Sequence, residues 1–298
     1  MDSNNNDILV LVTGASGYIA SHCVRLLLNE GYRVRGTVRS LKNEKKVTPI
    51  KQLQQGDRLE LVEADLLKED CWKSVVSGCD YVLHIASPFP IVSDATCVDI
   101  AVTGTLNVLR AVSKEPSVKK VVLTSSCAAV NEGHPQDRAF DETSWTDVDS
   151  PLVDYYAKSK TLAEKAAWDF LDSIKDANNC STMLTTIRKE RVRRRKLQLL
   201  QRFHDISQLM RRFLNKEMPA VPALNLACVD VRDVARAHLL AMQRPESDGE
   251  RILAKRILGM EFNDPAVAIV EMGYSLIERG IVKKLSGYNG VPSKYNIS

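Results

Sequence analysis

Residues 8–20 read Ile8-Leu9-Val10-Leu11-Val12-Thr13-Gly14-Ala15-Ser16-Gly17-Tyr18-Ile19-Ala20, and no other stretch so restricts what the chain can become. Its five consecutive apolar residues, most of them favouring extended structure, predict a strand buried on both faces. A glycine-bearing turn then leads into an apolar-periodic run, Ile19, Cys23, Leu26 and Leu27, that predicts a helix. A strand that feeds a helix through glycines aims the helix's free N–H groups at the space above the strand end. That space is an anion site, and the usual anion there is a dinucleotide pyrophosphate. Gly14 suits the tight turn, Gly17 lets phosphate approach the backbone, and Ala20 lets the helix lie close to the strand. The spacing Gly-x-x-Gly-x-x-Ala is a variant of the usual fingerprint, and an ordinary strand–turn–helix without ligand is the competing reading.

The pattern repeats along the chain. A second strand, 33–39, ends in Arg39 with no acid from 33 to 43, and Lys45 and Lys46 follow. At that point in a dinucleotide fold an acid binds the ribose 2′-hydroxyl and a cation accommodates a 2′-phosphate, so the charge favours NADP(H). A solvated basic loop is the alternative. Residues 43–55 read as a helix, 59–65 as a third strand with Asp65-Leu66 beside the adenine, and 69–77 as a short helix. A fourth strand within 80–88 runs through His84, read as a packed core residue, into the small residues Ala86 and Ser87. A helix over 95–113, a fifth strand over 121–126 ending in Thr124-Ser125-Ser126, and a helix over 152–174 follow. Strands that are nearly all apolar, alternating with helices, predict an α/β doubly wound parallel sheet. Gly14, Gly17, Arg39, Asp65, Ala86 and Ser126 then share one sheet edge, where ligands of such sheets bind.

Composition adds bounds. With 44% apolar and 26% charged residues the chain has the makeup of an ordinary globular protein. The polar start, Met1 to Asp7, lacks the plan of a signal peptide, and no apolar run reads as a membrane span, so the expected compartment is the cytoplasm. Seven scattered cysteines with no Cys-x-x-Cys pair suggest a reducing compartment, with neither disulfides nor a metal site expected. The net charge of +4 is local: residues 188–196 hold seven cations and one acid, so the remainder is net acidic.

Tyr156-Ala157-Lys158-Ser159-Lys160 sets a phenol and an ammonium one helical turn apart on one face. The ammonium, aided by an oxidised nicotinamide, is expected to lower the phenol's pKa, letting Tyr156 act as acid–base on a carbonyl or alcohol oxygen. Ser126 is positioned to hydrogen-bond the same oxygen. Tyr-x-x-x-Lys is common on its own, and its weight here comes from its order after the glycine turn and the Ser-Ser strand end.

Taken together, Val12 to Ala20, Val38-Arg39, Asp65-Leu66, His84-Ile85-Ala86-Ser87-Pro88, Gly104 to Leu109, Thr124-Ser125-Ser126 and Tyr156 to Glu164 resemble the extended short-chain dehydrogenases/reductases. The resemblance is to the branch of dihydroflavonol and cinnamoyl-coenzyme A reductases and is nearly unbroken from 8 to 187. It implies a Rossmann domain over 1–187, an NADPH-dependent carbonyl reduction, and Ser126, Tyr156 and Lys160 as the catalytic triad. Thr13, Gly14, Ser16, Gly17, Tyr18, Ile19, Arg39, Lys46, Asp65, Leu66, Ala86, Ser87 and Thr124 are the cofactor-binding candidates. Asn131 matches a substrate-touching position in the flavonoid reductases; a turn residue before Glu132-Gly133 is the other reading.

After the sixth strand, Met183 to Ile187, the family's Asn-Pro-Gly and Gly-Pro loop gives way to the basic run 188–196. Likeness resumes at Ile206 to Leu209, is clear from Val229 to His238, and breaks again at Arg251-Ile252-Leu253. Residues 188–298 are therefore expected to form a basic helix and a shortened substrate region, with 226–245 packing back on the first domain. Nucleic-acid binding or a nuclear address is the competing reading of the run, although it has no aromatic interleaving and matches no nucleic-acid motif. The partner the resemblance implies is a small carbonyl or alcohol, with no membrane partner expected. An altered reading frame or splice product would account for the run. A cofactor-binding but catalytically impaired protein, serving as redox sensor or partner protein, is the alternative to an active reductase.

Overall fold

The computed structural model describes residues 5–53, 56–88, 93–135, 138–178, 182–188, 206–217, 229–253 and 257–295. The basic run beyond Arg188 lies outside them. Contacts divide the chain into two units, the first being Met1–Arg191 with Val231–Met260 and the second Val192–Asp230 with Glu261–Ser298.

The first unit is built on one parallel sheet in the order β3-β2-β1-β4-β5-β6-β7. The strands are β1 (Leu9–Val12), β2 (Arg33–Val38), β3 (Leu59–Glu63), β4 (Tyr81–His84), β5 (Lys120–Thr124), β6 (Met183–Arg188) and β7 (Arg251–Leu253). The helices in this unit are α1 (Tyr18–Asn29), α2 (Glu44–Lys51), α3 (Glu69–Val76), α4 (Ala95–Val112), α5 (Tyr155–Asn178) and α7 (Val231–Gln243). β1 pairs with both β2 and β4, Val10 lying opposite Val34 on one side and Tyr81 on the other. Strand order reverses there, so the crevice beyond the ends of β1 and β4 is the topological switch point.

Alternation along the strands fills both layers. Leu9 and Leu11 join Trp72, Val75 and Val76 of α3, Val108, Leu109 and Val112 of α4, and Ala167 and Leu171 of α5 in one core. Val10 and Val12, also fully buried, project to the opposite face by the strand period of two. There α1 and α7 pack together and α7 reaches β4, β5 and β6. Truncating a residue such as Leu11 to alanine would cost about 2–5 kcal/mol through lost burial and the cavity left behind. Lys120, buried at the start of β5, ties α7 down: its ammonium donates to the Ala241 and Arg244 carbonyls at 3.0 and 2.9 Å and pairs with Asp248. Free carbonyls at a helix end are thereby satisfied by a cation.

Three differences from the sequence reading have physical causes. α4 is, by length and composition alone, able to cross a membrane, contrary to the reading of no such run. In the fold its stripe from Cys97 to Val112 is buried, the helix packing against α3 and α5 and Val108, Leu109 and Val112 sharing the core of Leu9 and Leu11. α2 stops at Lys51, with Pro49 inside its last turn, rather than reaching 55. β7 was not foreseen, because three residues beginning with a charged Arg251 carry no periodicity to read.

In the second unit α6 (Ile206–Leu214) packs against α8 (Pro265–Glu278). Asp264 caps α8 by accepting from the Ala266 amide at 2.8 Å. Pro265 occupies its first position, where no amide hydrogen is needed.

Candidate active site

β1 delivers the chain to Thr13, which is fully buried. Its hydroxyl oxygen accepts from the Ile85 and Ala86 amides at 3.0 and 2.9 Å, so its proton goes to His84 Nδ1, 2.9 Å away. One hydroxyl thus ties the end of β1 to the end of β4. The Gly14 amide donates to Thr37 Oγ1 at 2.8 Å and the Ala15 amide to the Thr37 carbonyl at 2.8 Å, fastening the turn to β2 as well. Gly14 has φ +68°, and a Cβ there would lie 3.1 Å from Ala86 Cβ. Both the backbone conformation and the space require glycine. Gly17 stands exposed at the start of α1 and no side chain caps the helix there, the arrangement in which a helix start receives an anion. Ser16 and Ile19 are half-buried on the same turn, and Tyr18 is 57% exposed beside it.

Along the same edge, Arg39 and Lys46 are exposed after β2. The Leu41 amide donates to Glu63 Oε1 at 2.7 Å, bracing that loop against the end of β3. Asp65 turns its carboxylate back to the Leu67 amide at 2.9 Å, while the Leu66 carbonyl accepts from Asn107 Nδ2 at 2.8 Å. Ala86 and Ser87 follow β4 half-buried. Thr124, at the end of β5, has its hydroxyl 2.7 Å from His238 Nε2 on α7.

The three proposed catalytic side chains meet at this edge. Asp154 accepts from the Ala157 amide at 2.8 Å and so starts α5, placing Tyr156 in its first turn and Lys160 one turn on. The ring of Tyr156 packs against Ala128, Val153 and Ala157. Ser126 accepts from the Ala128 amide at 3.2 Å and is hydrogen-bonded to Tyr156. Lys160 Nζ lies over the Tyr156 ring, 5.8 Å from its centroid. Both side chains keep some solvent contact although burial governs their titration, the combination expected at the floor of a concavity.

In the chain alone, burial dominates the electrostatics of the site. Burial pushes the Tyr156 phenol up to about 12, with the Ser126 hydrogen bond pulling the other way, rather than the ammonium drawing it down. The cause is the burial of the oxygen, which outweighs the hydrogen bond. Tyr156 therefore keeps its proton at neutral pH. Burial lowers Lys160 to about 8, with Cys97 of α4 acting weakly in the opposite direction. His84 falls to about 3, through burial first and the Lys160 charge second, and is neutral.

A family profile described as the NAD dependent epimerase/dehydratase family matches residues 10–254. The chain belongs to that family. Within it the chain is an extended short-chain dehydrogenase/reductase of the dihydroflavonol and cinnamoyl-coenzyme A reductase branch. It is 41% identical over 276 residues to cinnamoyl-CoA reductase CAD2 of Medicago truncatula, covering 86% of this chain and 79% of that one. It is 42% identical over 171 residues to a (2S)-flavan-3-ol-forming anthocyanidin reductase of Vitis vinifera, covering 54% of this chain and 51% of that one. The chain thus spans about half the length of that relative. Among solved structures it is similar to the yeast methylglyoxal/isovaleraldehyde reductase Gre2 complexed with NADPH. The TM-score is 0.72 and the identity 25%, over 92% of this chain and 100% of that one.

Thr13, Gly14 and Ala86 stand at the switch point. Ser126 follows β5, the neighbour of β4, and Lys160, over the Tyr156 ring, acts on His84 at the end of β4, whereas Arg39 and Lys46 stand on the β2 side and Tyr18 is largely solvent-facing. Asn131, 6% exposed, follows the Ser126 turn, and its Oδ1 has no hydrogen-bond partner among the described residues. Sequence reasoning missed Thr37, whose hydroxyl braces Gly14. The available signal was a threonine at the interior end of a strand, two residues before Arg39. It also missed Glu164, the next residue on the Tyr156–Lys160 face.

Proposed function

We propose that this chain is an NADPH-dependent reductase of a small carbonyl compound, with Tyr156 as the proton donor. The observation that carries the reading is the convergence of Ser126, Tyr156 and Lys160 at the switch-point edge, with the phenol held protonated. The site suits a nicotinamide dinucleotide on two counts. The turn at Gly14 has no room for a side chain, and Lys160 donates no hydrogen bond to any acceptor among the described residues. A buried ammonium without an acceptor favours hydroxyl or anionic groups of a ligand. The backbone of Gly14 to Ile19 would hold the pyrophosphate, Arg39 and Lys46 the 2′-phosphate, and Lys160 the nicotinamide ribose. When bound, the coenzyme supplies the hydride.

The chain's own residues handle the proton and the charge. Ser126, whose oxygen already accepts from the Ala128 amide, directs its remaining proton toward the Tyr156 oxygen and the substrate oxygen beside it. Negative charge developing on that oxygen is stabilised by these two hydroxyls, and Tyr156 transfers its proton to complete the alcohol. Lys160 stabilises the phenolate left behind, its charge lowering the cost of a buried anion. The Asn131 amide, buried and with a spare acceptor, suits a substrate hydroxyl.

Titration of the purified chain with NADPH and NADH, followed by a panel of aldehydes, ketones and acyl-coenzyme A thioesters, tests the reading. Tighter binding of NADPH together with its consumption by at least one carbonyl supports it. Binding of neither coenzyme removes it.

A further inference from the structure

The face of α5 that carries Tyr156 and Lys160 continues one turn on to Glu164, which is 1% exposed. This carboxylate is the hub of a buried network. Its Oε2 accepts from Ser125 Oγ at 2.5 Å, and its Oε1 accepts from Thr186 Oγ1 and Arg251 Nε, each at 2.9 Å. Arg251, on β7, extends the network. Its Nη1 donates to the carbonyls of Glu142 and Ser144 at 2.8 and 3.1 Å, and its guanidinium lies 3.3 Å from the centroid of the Trp145 ring.

The segment so clamped holds the other side of the site. Thr146 donates its amide to the Ala129 carbonyl at 3.1 Å and its hydroxyl to the Ala128 carbonyl at 2.7 Å. The same hydroxyl accepts from the Glu132 amide at 2.9 Å. Residues 128–132, which follow Ser126 and include Asn131, are thus hung from 144–147. Ser125 is anchored twice, by its hydroxyl to Glu164 and by its amide to the Ile187 carbonyl at 2.9 Å. A buried ion pair contributes little stability that well-packed apolar side chains would not match, so its distinctive contribution is direction.

We infer that Glu164 and Arg251 are a positioning pair that sets Ser126 and the Asn131 segment against Tyr156. The inference rests on the proposed reductase reading. Neither residue is given a contact with substrate or coenzyme; they act through Ser125 and the 142–147 segment.

The test uses the full chain with Glu164→Gln and, as a milder change that removes one hydroxyl, Ser125→Ala. NADPH affinity is expected to stay within about twofold, because the pyrophosphate turn lies across the sheet, while kcat falls about tenfold to a hundredfold from misplacement alone. In a double-mutant cycle, Ser126→Ala should cost much in the parent and little in Glu164→Gln, since both remove the same oriented hydroxyl. Losses that add in full, or a kcat equal to the parent's in both single variants, would overturn the inference. Amide hydrogen exchange gives a second readout that needs no turnover. Faster exchange at 129–132 and 146–147 with β1 unchanged supports the tie, and unchanged protection there in both variants overturns it. A parent that neither binds nor consumes NADPH removes the reductase reading instead, and the exchange result then decides whether the pair holds this wall.

Discussion

Thr13 Oγ1 lies 2.9 Å from His84 Nδ1, joining the ends of β1 and β4 across the point where strand order reverses. Because that oxygen already accepts two amides, the hydrogen-bond pattern assigns the histidine its proton on Nε2 and leaves Nδ1 as acceptor. The crevice where the dinucleotide is proposed to lie is therefore framed by a neutral imidazole.

That neutrality predicts acid lability. His84 titrates near 3 and His238 near 4 in the folded chain, both held down by burial, against 6.5 for an exposed histidine. The unfolded chain binds these protons first, so stability is intact above pH 6.5 and falls toward the folded values by about 1.4 kcal/mol per pH unit for each histidine. Urea unfolding at pH 7, 6 and 5 checks this, and a midpoint unchanged across that range would contradict it.

If the proposed reductase reading holds, Lys160 should set an alkaline limb. The groups facing it are Tyr156 on its own helix, Cys97 of α4 and His84 of β4, and burial brings its pKa to about 8. Carbonyl reduction should decline above pH 8 as the ammonium deprotonates, well before Tyr156 at about 12 loses its proton. Profiles of kcat/KM for the parent and Lys160→Arg test the assignment. The arginine variant, charged throughout, should lose that limb whatever its absolute rate.

Gly14→Val tests the turn. Its φ of +68° and the 3.1 Å approach to Ala86 leave no place for a branched side chain, and the strain costs about 1–3 kcal/mol. The variant should melt a few degrees lower and lose coenzyme binding, read by thermal denaturation and NADPH titration. Full affinity would place the pyrophosphate elsewhere.

Arg39→Ser tests coenzyme choice. Removing the exposed cation at the end of β2 should weaken NADPH by about tenfold, about 1.4 kcal/mol, and leave NADH nearly unaffected. Equal losses for both coenzymes would assign Arg39 a role other than 2′-phosphate recognition.

Much of this was readable in the chain because buried parallel strands write themselves as unbroken apolar runs. Val10-Leu11-Val12 and Val121-Val122-Leu123 are 0–1% exposed except Leu123 at 6%. Spacing within one helix was equally legible, since Tyr156 and Lys160 need only the helical period to meet. The Glu164–Arg251 pair was not, because its partners lie 87 residues apart and join through a strand too short to show a pattern. The weight of burial at Tyr156 in the chain alone was not legible either. Sequence gives which charges are neighbours but not how deeply an oxygen is buried, and burial decided the sign.

The most direct test compares NADPH consumption by Tyr156→Phe and by the parent chain, both saturated with coenzyme and supplied with the best carbonyl of the panel. Loss of the phenolic proton should lower kcat by about 10²-fold or more, with NADPH affinity unchanged. A phenylalanine variant that turns over at the parent's rate would contradict the account.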